Sequence, residues 1–280
     1  MKIISMKNKY LLLTIIGLLL SSFAYRIKRA DKVLTGDYVL VPTGKINNEQ
    51  VSGFYISTTE VSNKQYREFL DDLKKKGETD KLNAAMVDTV KWRDFIVHNE
   101  PYVNYYFQNK AYNDYPVVNI SKRGAELYAL WLTEKYNQSA NEKARFALPT
   151  EAQWMLAAQG GSTNAVYGWK ANSLKNEQKG RWYGGNMGNY RVEQNGRTGS
   201  GVDNPNADVT APVKSFLPNA YGIYNMSGNV AEMVADKGYS KGGSWYSKAD
   251  KLKIDANEEY PSGGSPAVGF RLIMLREGAK

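Results

Sequence analysis

The sequence predicts an α+β fold with little regular secondary structure. Three segments carry helix caps and apolar residues at helical spacing, and a few short apolar runs are typical of strands. Between them lie stretches rich in glycine, asparagine and aromatic residues, of which the clearest runs from 218 to 246. Glycine and asparagine tolerate positive φ and favour turns, whereas the aromatic and methionine side chains among them need burial. We therefore expect a core built partly from loops.

The first part of the domain predicts two strands and one helix. Strands are expected at 38–42 (YVLVP) and 54–58 (FYIST), on either side of a turn. Ser62 and Gln65 have the spacing of a capping box, so a helix begins there, and Gly77 ends it. The apolar residues of this helix share one buried face: Tyr66, Phe69, Leu70 and Leu73.

Residues 78–118 form a long aromatic segment without helical or strand periodicity. A structureless loop of that length is unusual in a compact domain. Two interpretations stay open. Either the rings fill the domain's own core, or residues 86–118 present a surface to a protein partner. The candidate residues of that surface are Tyr102, Tyr105 and Phe107.

Two further helices are predicted in the middle of the chain. One starts near Ser121 and is followed by a polar loop over 137–143. The other has a capping box of Thr150 and Gln153 and ends at Gly160-Gly161. No regular periodicity is visible from 167 to 212, and closing strands are expected at 242–246 and 269–275. No internal repeat is present, so we expect one domain.

The composition excludes several classes of site. The 280 residues include no cysteine, which rules out disulfides, thiolate metal sites, a cysteine nucleophile and a lipid-modified N-terminal cysteine. A single histidine, His98, would have to carry any histidine-based metal site or catalytic triad. The net charge of +9 is scattered, and no basic stripe interleaved with stacking aromatics is visible. We therefore expect no nucleic-acid partner.

The N-terminus has the features of an export signal. Lysines precede a short apolar run, and small residues follow near Ala24. We interpret residues 1–24 as a signal peptide, residues 25–36 as a linker and residues 37–280 as the domain. Because basic residues come directly after the apolar run, a retained N-terminal anchor with membrane association is the alternative. In either case the domain is expected outside the cytoplasm.

The stretch from 218 to 246 also contains a candidate metal site. Asn225 and Glu232 offer side-chain oxygens, and Gly228 and Val230 offer main-chain carbonyls. Hard oxygen ligands of this kind suit calcium. Loops of asparagine, glycine and glutamate are also common as solvated turns, and spacing alone does not decide between the two.

Several motifs together resemble the formylglycine-generating-enzyme, or sulfatase-modifying-factor, domain family. The resemblance covers roughly residues 37–275. The matching stretches are 147–154 (ALPTEAQW) with Gly160-Gly161, 218–230 (PNAYGIYNMSGNV), 241–245 (KGGSW) and 269–271 (GFR). The resemblance implies a C-type-lectin-like fold, mixed α and β with little regular structure.

The resemblance also implies a structural calcium ion. Family members bind calcium through four positions, which in this chain are Asn225, Gly228, Val230 and Glu232. A second family site would use Asn189 and Tyr190 with an aspartate. The spacing of Asp203 and Asp208 departs from that pattern, so the second site is not expected here.

The same resemblance implies that the family's oxidase chemistry is lost. Catalytic members hold Cu(I) with two cysteines shortly after the GGSW-like motif. Those positions fall at Ser247 and near Leu252 in this chain. Cu(I) is a soft ion that needs thiolates, which a hydroxyl cannot replace. We therefore expect a pseudoenzyme with no bound copper and no catalytic residues.

A narrower resemblance lies in the middle of the chain. The stretches 92–95 (WRDF), 99–101 (NEP), 104–107 (NYYF) and 114–118 (DYPVV) are similar to the GldK/PorK and GldJ lipoproteins of Bacteroidetes gliding motility and type IX secretion. In those proteins the domain is a building block of a periplasmic assembly at the outer membrane. The resemblance implies a periplasmic protein with partners in such an assembly, a GldN/PorN-like subunit among them. This chain is shorter and lacks the lipid-attachment cysteine.

The sequence thus favours a non-catalytic, exported structural or interaction protein. One alternative is an enzyme of the same family with altered, non-copper chemistry. Its candidate polar residues are Ser244, Ser247, Asp236, Glu232 and His98. The other alternative is a lectin-like ligand binder, which a pocket walled by tryptophan and tyrosine beside Ser247 would favour.

Overall fold

The computed structural model describes residues 37–95, 99–140, 142–169, 171–180, 183–194, 197–200, 209–260 and 263–276. The predicted signal peptide and linker lie outside the described residues, as do His98, Asp203 and Asp208. Within the described ranges, no helix combines the length and the apolar character needed to cross a membrane.

Four α-helices are found in the described part of the chain, three of them where the sequence predicts them. Their bounds are α1 Asn63–Lys76, α2 Thr79–Ala85, α3 Lys122–Ser139 and α4 Glu151–Ala158. Ser62 and Gln65 form the predicted capping box of α1, and Gly77 ends it with a φ of 70°. Thr150 and Gln153 form the equivalent box of α4. Helix α3 begins at the predicted place but extends into the stretch expected to be a loop.

Between α2 and α3 the described residues include three short helical turns. These are 3-10 turns at Thr89–Asp94 and Lys110–Tyr112 and a π turn at Tyr102–Tyr106. The rings of Trp92 and Tyr106 are both 1% exposed, and their centroids lie 4.9 Å apart. Most of the aromatic segment therefore fills the domain's own core, which was one of the two interpretations.

The strands of the described ranges form two four-stranded sheets and two hairpins. Their bounds are β1 Tyr38–Val41, β2 Gly44–Ile46, β3 Glu49–Val51, β4 Phe54–Ser57, β5 Ala144–Ala147, β6 Arg191–Gln194, β7 Arg197–Ser200, β8 Ala231–Met233, β9 Tyr239–Lys241, β10 Asn257–Glu259, β11 Val268–Gly269 and β12 Ile273–Arg276. The first sheet has the order β1-β4-β12-β5, and the second has the order β10-β9-β8-β11. The hairpins are β2–β3 and β6–β7. The strands predicted at 38–42 and 54–58 are confirmed as β1 and β4.

Three predictions about the later chain are wrong. The stretch 242–246 is not a strand, because Gly242 and Gly243 adopt positive φ values of 89° and 65° and turn the chain after β9. The stretch 269–275 is divided between β11 and β12. The hairpin β6–β7 lies in a region where no regular structure was expected.

The first sheet is buried on both faces. On one face, Tyr66, Phe69 and Tyr128 of α1 and α3 pack against Phe146 and Met274 of the strands. On the other face, residues of α4 pack against alternate residues of the same strands, including Ile56 and Ile273. Burial on both faces explains why β4 is a continuous apolar run rather than an alternating one, whereas Leu40 of the edge strand β1 is 53% exposed.

Candidate functional site

The stretch from 218 to 234 is a series of turns held inside the domain. Asn225, Gly228 and Asn229 have left-handed φ values of 54°, 87° and 70°. A side chain does not fit at Gly228, because a Cβ there would lie 2.5 Å from the main-chain oxygen of Asn189. This close approach fixes the turn and buries both asparagine side chains.

The two asparagine amides converge on Glu60, a fully buried acid that follows β4. Asn225 Nδ2 donates to Oε1 and Oε2 of Glu60 at 3.0 and 3.1 Å, and Asn229 Nδ2 donates to Oε1 at 2.8 Å. Burial raises the pKa of Glu60 to about 7, although Arg271 opposes the shift. Glu60 was not predicted as a site residue. It stands alone between Thr59 and Val61, and no spacing in the sequence connects it with the loop.

Arg271 and Glu232 form a buried ion pair beside this centre. Nη2 lies 2.6 Å from Oε1 and Nε lies 2.7 Å from Oε2, so the contact is bidentate. Trp154 Nε1 also donates to Glu232 Oε2 at 2.8 Å. Two buried carboxylates, Glu60 and Glu232, thus share the charge of one guanidinium. Such an environment favours either a proton or a further cation.

Of the four predicted calcium ligands, the side chains of Asn225 and Glu232 lie at this centre, and oxygen donors of this kind suit a hard cation. Asn225 Oδ1 is buried and has no hydrogen-bond partner within the described residues. The carboxylate of Glu232 is present, although its oxygens are shared with Arg271 and Trp154. No group of three or more His, Cys, Asp or Glu side chains in the described ranges is placed to hold a metal. A calcium ion would therefore depend on amide and carbonyl oxygens, including those of Gly228 and Val230.

Asn189, the candidate for the second calcium site, has a similarly unpartnered amide oxygen within the described part. Its Nδ2 donates to the main-chain oxygen of Val209 at 2.8 Å. Tyr190 beside it is 4% exposed. The site would also need an aspartate; Asp203 and Asp208, whose spacing departs from the family pattern, lie outside the described residues.

Ser247, at the position of the first copper-binding cysteine, lies in a chain of hydrogen bonds. Its Oγ is 2.8 Å from Ser244 Oγ and accepts from the main-chain nitrogen of Ser244 at 2.9 Å. It also lies 2.8 and 2.6 Å from the two carboxylate oxygens of Glu258. Glu258 was not predicted as a site residue, because its contact with Ser247 depends on the pairing of β10 with β9.

The donors at this position do not fit Cu(I). Ser247 and Glu258 offer hard oxygens, whereas a cuprous ion needs soft sulfur ligands. Leu252, at the second cysteine position, is fully buried against Tyr167 and Trp169 and carries no donor atom. We derive no copper-dependent step for this chain.

Of the candidates for an altered enzyme that the structure describes, Ser244 and Ser247 are in contact, and Asp236 and Glu232 have other partners. Glu232 is held by Arg271, and Asp236 accepts a hydrogen bond from the main chain of Glu151 at 2.9 Å. Ser247 contacts Glu258, but its side chain is buried, with the residue only 4% exposed. A nucleophile and base with open access to a substrate are therefore not seen in this group.

The candidate partner surface is only partly exposed. Tyr105 is 55% exposed, whereas Tyr102 is half-buried against Trp92. Phe107 is 5% exposed and packs on Tyr66 with ring centroids 6.3 Å apart. The assignment of Phe107 to a surface is therefore wrong. Its ring belongs to the apolar layer between α1 and α3.

A cleft lies on another side of the domain. It has a volume of about 550 Å³ and is bordered by α1, α3, β1 and residues 212–215. Tyr128 and Trp131 are among its lining residues, but Ser247 is not. Only a pocket beside Ser247 would favour the lectin-like ligand binder, so this cleft does not support that alternative.

Comparison with known proteins gives one family for most of the chain. The profile of the sulfatase-modifying factor enzyme 1-like domain matches residues 25–275. A formylglycine-generating enzyme of Thermomonospora curvata is 29% identical over 214 residues, which cover 69% of this chain and 63% of that protein. This chain therefore spans less than two-thirds of that relative's length. An inactive C-alpha-formylglycine-generating enzyme 2 of Mus musculus is 26% identical over 265 residues, covering 81% of this chain and 77% of that protein.

Among solved structures, that of CarF is similar in fold. The TM-score is 0.58 at 21% identity, over 86% of this chain and 98% of CarF. At this level of identity the likeness concerns the fold alone. The predicted α+β class with small, irregular sheets is confirmed.

Proposed function

The chain belongs to the family of sulfatase-modifying factor enzyme 1-like domains, and we propose that it is a non-catalytic member that acts as an exported structural or interaction protein. The observation that carries the proposal is the donor set at Ser247 and Leu252, which lacks the thiolates that Cu(I) needs. The family contains both formylglycine-generating enzymes and a relative named inactive, so either role is compatible with membership.

We further propose that the protein belongs to a periplasmic assembly of the type IX secretion or gliding-motility kind. The resemblance of 92–118 to the GldK/PorK and GldJ lipoproteins supports it. Protein partners, with a GldN/PorN-like subunit among them, and an N-terminal association with the membrane belong to the same proposal.

The exposed part of the aromatic segment is the proposed partner surface. Met86, Val90 and Tyr105 are 56%, 52% and 55% exposed, so these apolar side chains are accessible to a partner. Tyr102 and Phe107 support this surface from behind, through their contacts with Trp92 and Tyr66.

A structural calcium ion at Asn225, Gly228, Val230 and Glu232 is also part of the proposal. When bound, the ion would supply positive charge to a centre in which two acids share one guanidinium. The unpartnered amide oxygen of Asn225 supports this assignment. A ligand that binds only the folded state stabilises it by roughly 2.7 kcal/mol at 100 times its Kd. We therefore expect thermal melting in calcium to occur at a clearly higher temperature than in chelator. An identical melting temperature in both would remove calcium from the proposal.

An oxidase assay tests the loss of catalysis. Purified protein is incubated with Cu(I), oxygen and a cysteine-containing sulfatase peptide, with a catalytic family member as positive control. We expect no formylglycine product by mass spectrometry. Turnover by this chain would refute the non-catalytic assignment.

Isolation of the protein from native envelopes tests the partner surface. We expect Tyr105→Asp to abolish recovery of specific partners, which are identified by mass spectrometry. Leu130→Asp is the matched control, because Leu130 is 53% exposed on α3, outside the aromatic segment. Equal recovery of partners by both variants, each with an unchanged melting temperature, would exclude the surface around Tyr105.

A further inference from the structure

The hydrogen bonds of the Asn225 amide all lie at its nitrogen. Nδ2 faces three acceptors, which are Oε1 and Oε2 of Glu60 at 3.0 and 3.1 Å and the main-chain oxygen of Val213 at 3.1 Å. The residue is only 6% exposed, and its buried Oδ1 accepts no hydrogen bond from the described residues. A buried acceptor without a partner is costly. The oxygen is therefore placed to meet a group that the described residues do not supply.

Asn229, which contacts the same carboxylate, shows the contrast. Its Nδ2 donates to Glu60 Oε1 at 2.8 Å and to the main-chain oxygen of Ala211 at 3.2 Å. Its Oδ1 accepts from the main-chain nitrogen of Ala211 at 2.7 Å. Both ends of this amide are satisfied within the domain. The unpartnered oxygen of Asn225 is thus not shared by both asparagines that Glu60 holds.

Glu60 decides which way the Asn225 amide points. A reversed amide would place Oδ1 against the two carboxylate oxygens of Glu60 and the carbonyl of Val213, and none of these acceptors can donate to it. In the observed orientation, Nδ2 donates to an ionised acid, and such charge-assisted bonds are stronger than neutral ones. The reversed amide is therefore disfavoured. Without the carboxylate, only the Val213 carbonyl would oppose the reversal.

The other side-chain donor of the proposed calcium site is tied to the same part of the loop. Arg271 Nη2 donates to the main-chain oxygen of Tyr224, directly before Asn225, at 2.8 Å and to Glu232 Oε1 at 2.6 Å. One guanidinium thus links Glu232 with the backbone next to Asn225. Both oxygens of Glu60 accept from asparagine amides, so Glu60 acts on those amides rather than as a further ligand.

We propose that Glu60 is a positioning residue of the calcium site, whose carboxylate holds the Asn225 amide so that its oxygen, and not its nitrogen, is presented to the ion. The inference rests on the calcium site of the proposed function and adds a residue that the sequence motif does not contain. Ligating side chains are oriented by hydrogen-bonded partners behind them, and loss of such a partner costs about 10- to 100-fold in metal affinity.

Calorimetric titration of the chelator-treated protein with calcium chloride at pH 8 tests the proposal. Glu60→Gln should weaken calcium binding about 10- to 100-fold, because glutamine replaces one acceptor with an amide that cannot accept from Asn225. Glu60→Asp keeps the charge but shortens the side chain by one methylene, so it should weaken binding by a similar factor. Wild-type affinity of Glu60→Asp would show that charge alone matters and would overturn the proposal.

Glu258→Gln is the matched control. It removes an acid that is bonded to Ser247 rather than to either asparagine, so it should change calcium affinity less than about twofold. An equal loss of affinity in Glu258→Gln and Glu60→Gln would assign the effect to net charge and would also overturn the proposal.

A second background separates orientation from charge. Asn225→Asp carries an oxygen at both ends of the side chain, so it needs no orientation. In this background Glu60→Gln should cost less than about threefold in calcium affinity, and the glutamine amide can donate to the new carboxylate. The same fold-loss in both backgrounds would refute an orienting role. If the single variants do not fold in chelator, the double variant decides, since it keeps one acid and one amide in contact: calcium binding supports the proposal, and a folded protein without binding overturns it.

The wild-type titration separates this inference from the proposed function. If the wild type binds no calcium, the calcium site itself is lost from the proposed function, and the role of Glu60 is lost with it. If the wild type binds calcium and Glu60→Asp binds it equally well, the calcium site stands and only the positioning role fails.

Discussion

The apolar layer between α1 and α3 and the polar centre around Arg271 stabilise the same domain in different ways. In the apolar layer, Phe69, Tyr128 and Phe270 make edge-on ring contacts, with centroids 5.6 Å apart for Tyr128 with each of the other two. Each contact there is favourable by itself. In the polar centre, Glu60, Glu232 and Arg271 are favourable only while each keeps its partners, because an unpaired buried charge is costly. The stability of the polar centre therefore requires that every charged residue keeps its partners. The stability of the apolar layer requires only that the volume of its side chains is conserved.

The largest expected effect is the loss of Arg271. Arg271→Met should lower the free energy of unfolding by about 3–5 kcal/mol, because it leaves Glu232 and Glu60 buried without their cation. Leu73→Met in the apolar layer conserves volume and should cost less than about 1.5 kcal/mol. Urea unfolding of both variants measures the difference. The double variant Glu232→Leu with Arg271→Met should recover part of the loss, and no recovery would show that the pair is not the cause.

The polar centre should also make stability depend on pH. The pKa of Glu60 is raised from its ordinary 4.5 to about 7, so folding favours the protonated acid. Its contribution is fully present below pH 4.5 and is lost as the pH rises through about 7, a change of up to about 3 kcal/mol. Unfolding of the calcium-free protein between pH 4 and 8 measures it. Glu60→Gln should flatten the profile in this window, and an unchanged profile would assign the dependence to another group.

Two glycines offer a matched comparison between the regions. Gly228→Ala should cost about 2–3 kcal/mol, since it adds left-handed strain and a contact at 2.5 Å with the main chain of Asn189. Gly77→Ala has the same strain with no atom within 4 Å and should cost about 1 kcal/mol. Melting temperatures of the two variants test the order. An equal cost would mean that the loop moves aside easily.

The smallest effect is expected at the helix caps. Ser62→Ala removes the acceptor for the main chain of Gln65 and should cost about 1 kcal/mol. The loss should leave the pH dependence from Glu60 unchanged, because α1 belongs to the apolar layer. A combined measurement of stability at pH 5 and pH 8 checks both statements, and a cost that varies with pH would show that the two regions are coupled.

The elements that could be predicted from the sequence are those set by neighbours in the chain. The capping boxes at Ser62 and Thr150, the apolar face of α1 and the strands β1 and β4 all depend on residues a few positions apart. Tyr105 and Phe107 show the limit of such patterns. They are two residues apart in an aromatic run, yet Tyr105 is exposed and Phe107 is buried. Tyr105 lies within the π turn and Phe107 directly follows it, so the two side chains lie on different sides of the backbone.

The candidate site depends on contacts that no local pattern contains. Glu60 bonds Asn225 across 165 positions of the chain, and Arg271 reaches Ser57 across 214. The motif predicted Asn225 and Glu232 as site residues, but it did not predict that Glu60 and Arg271 contact them. Glu258 was missed for the same reason, since only the alignment of β10 with β9 brings it to Ser247.

The place of β12 in the first sheet has a consequence for how the protein is made. This strand comes last among the described elements, yet it lies between β4 and β5 and pairs with both. Strand β4, near the start of the domain, has only β1 as a neighbour until more than two hundred further residues have been synthesised. Long-range pairing of this kind slows folding. Because β4 and β5 gain their shared neighbour only with the last strand, we expect the first sheet to be completed after nearly the whole domain has been synthesised.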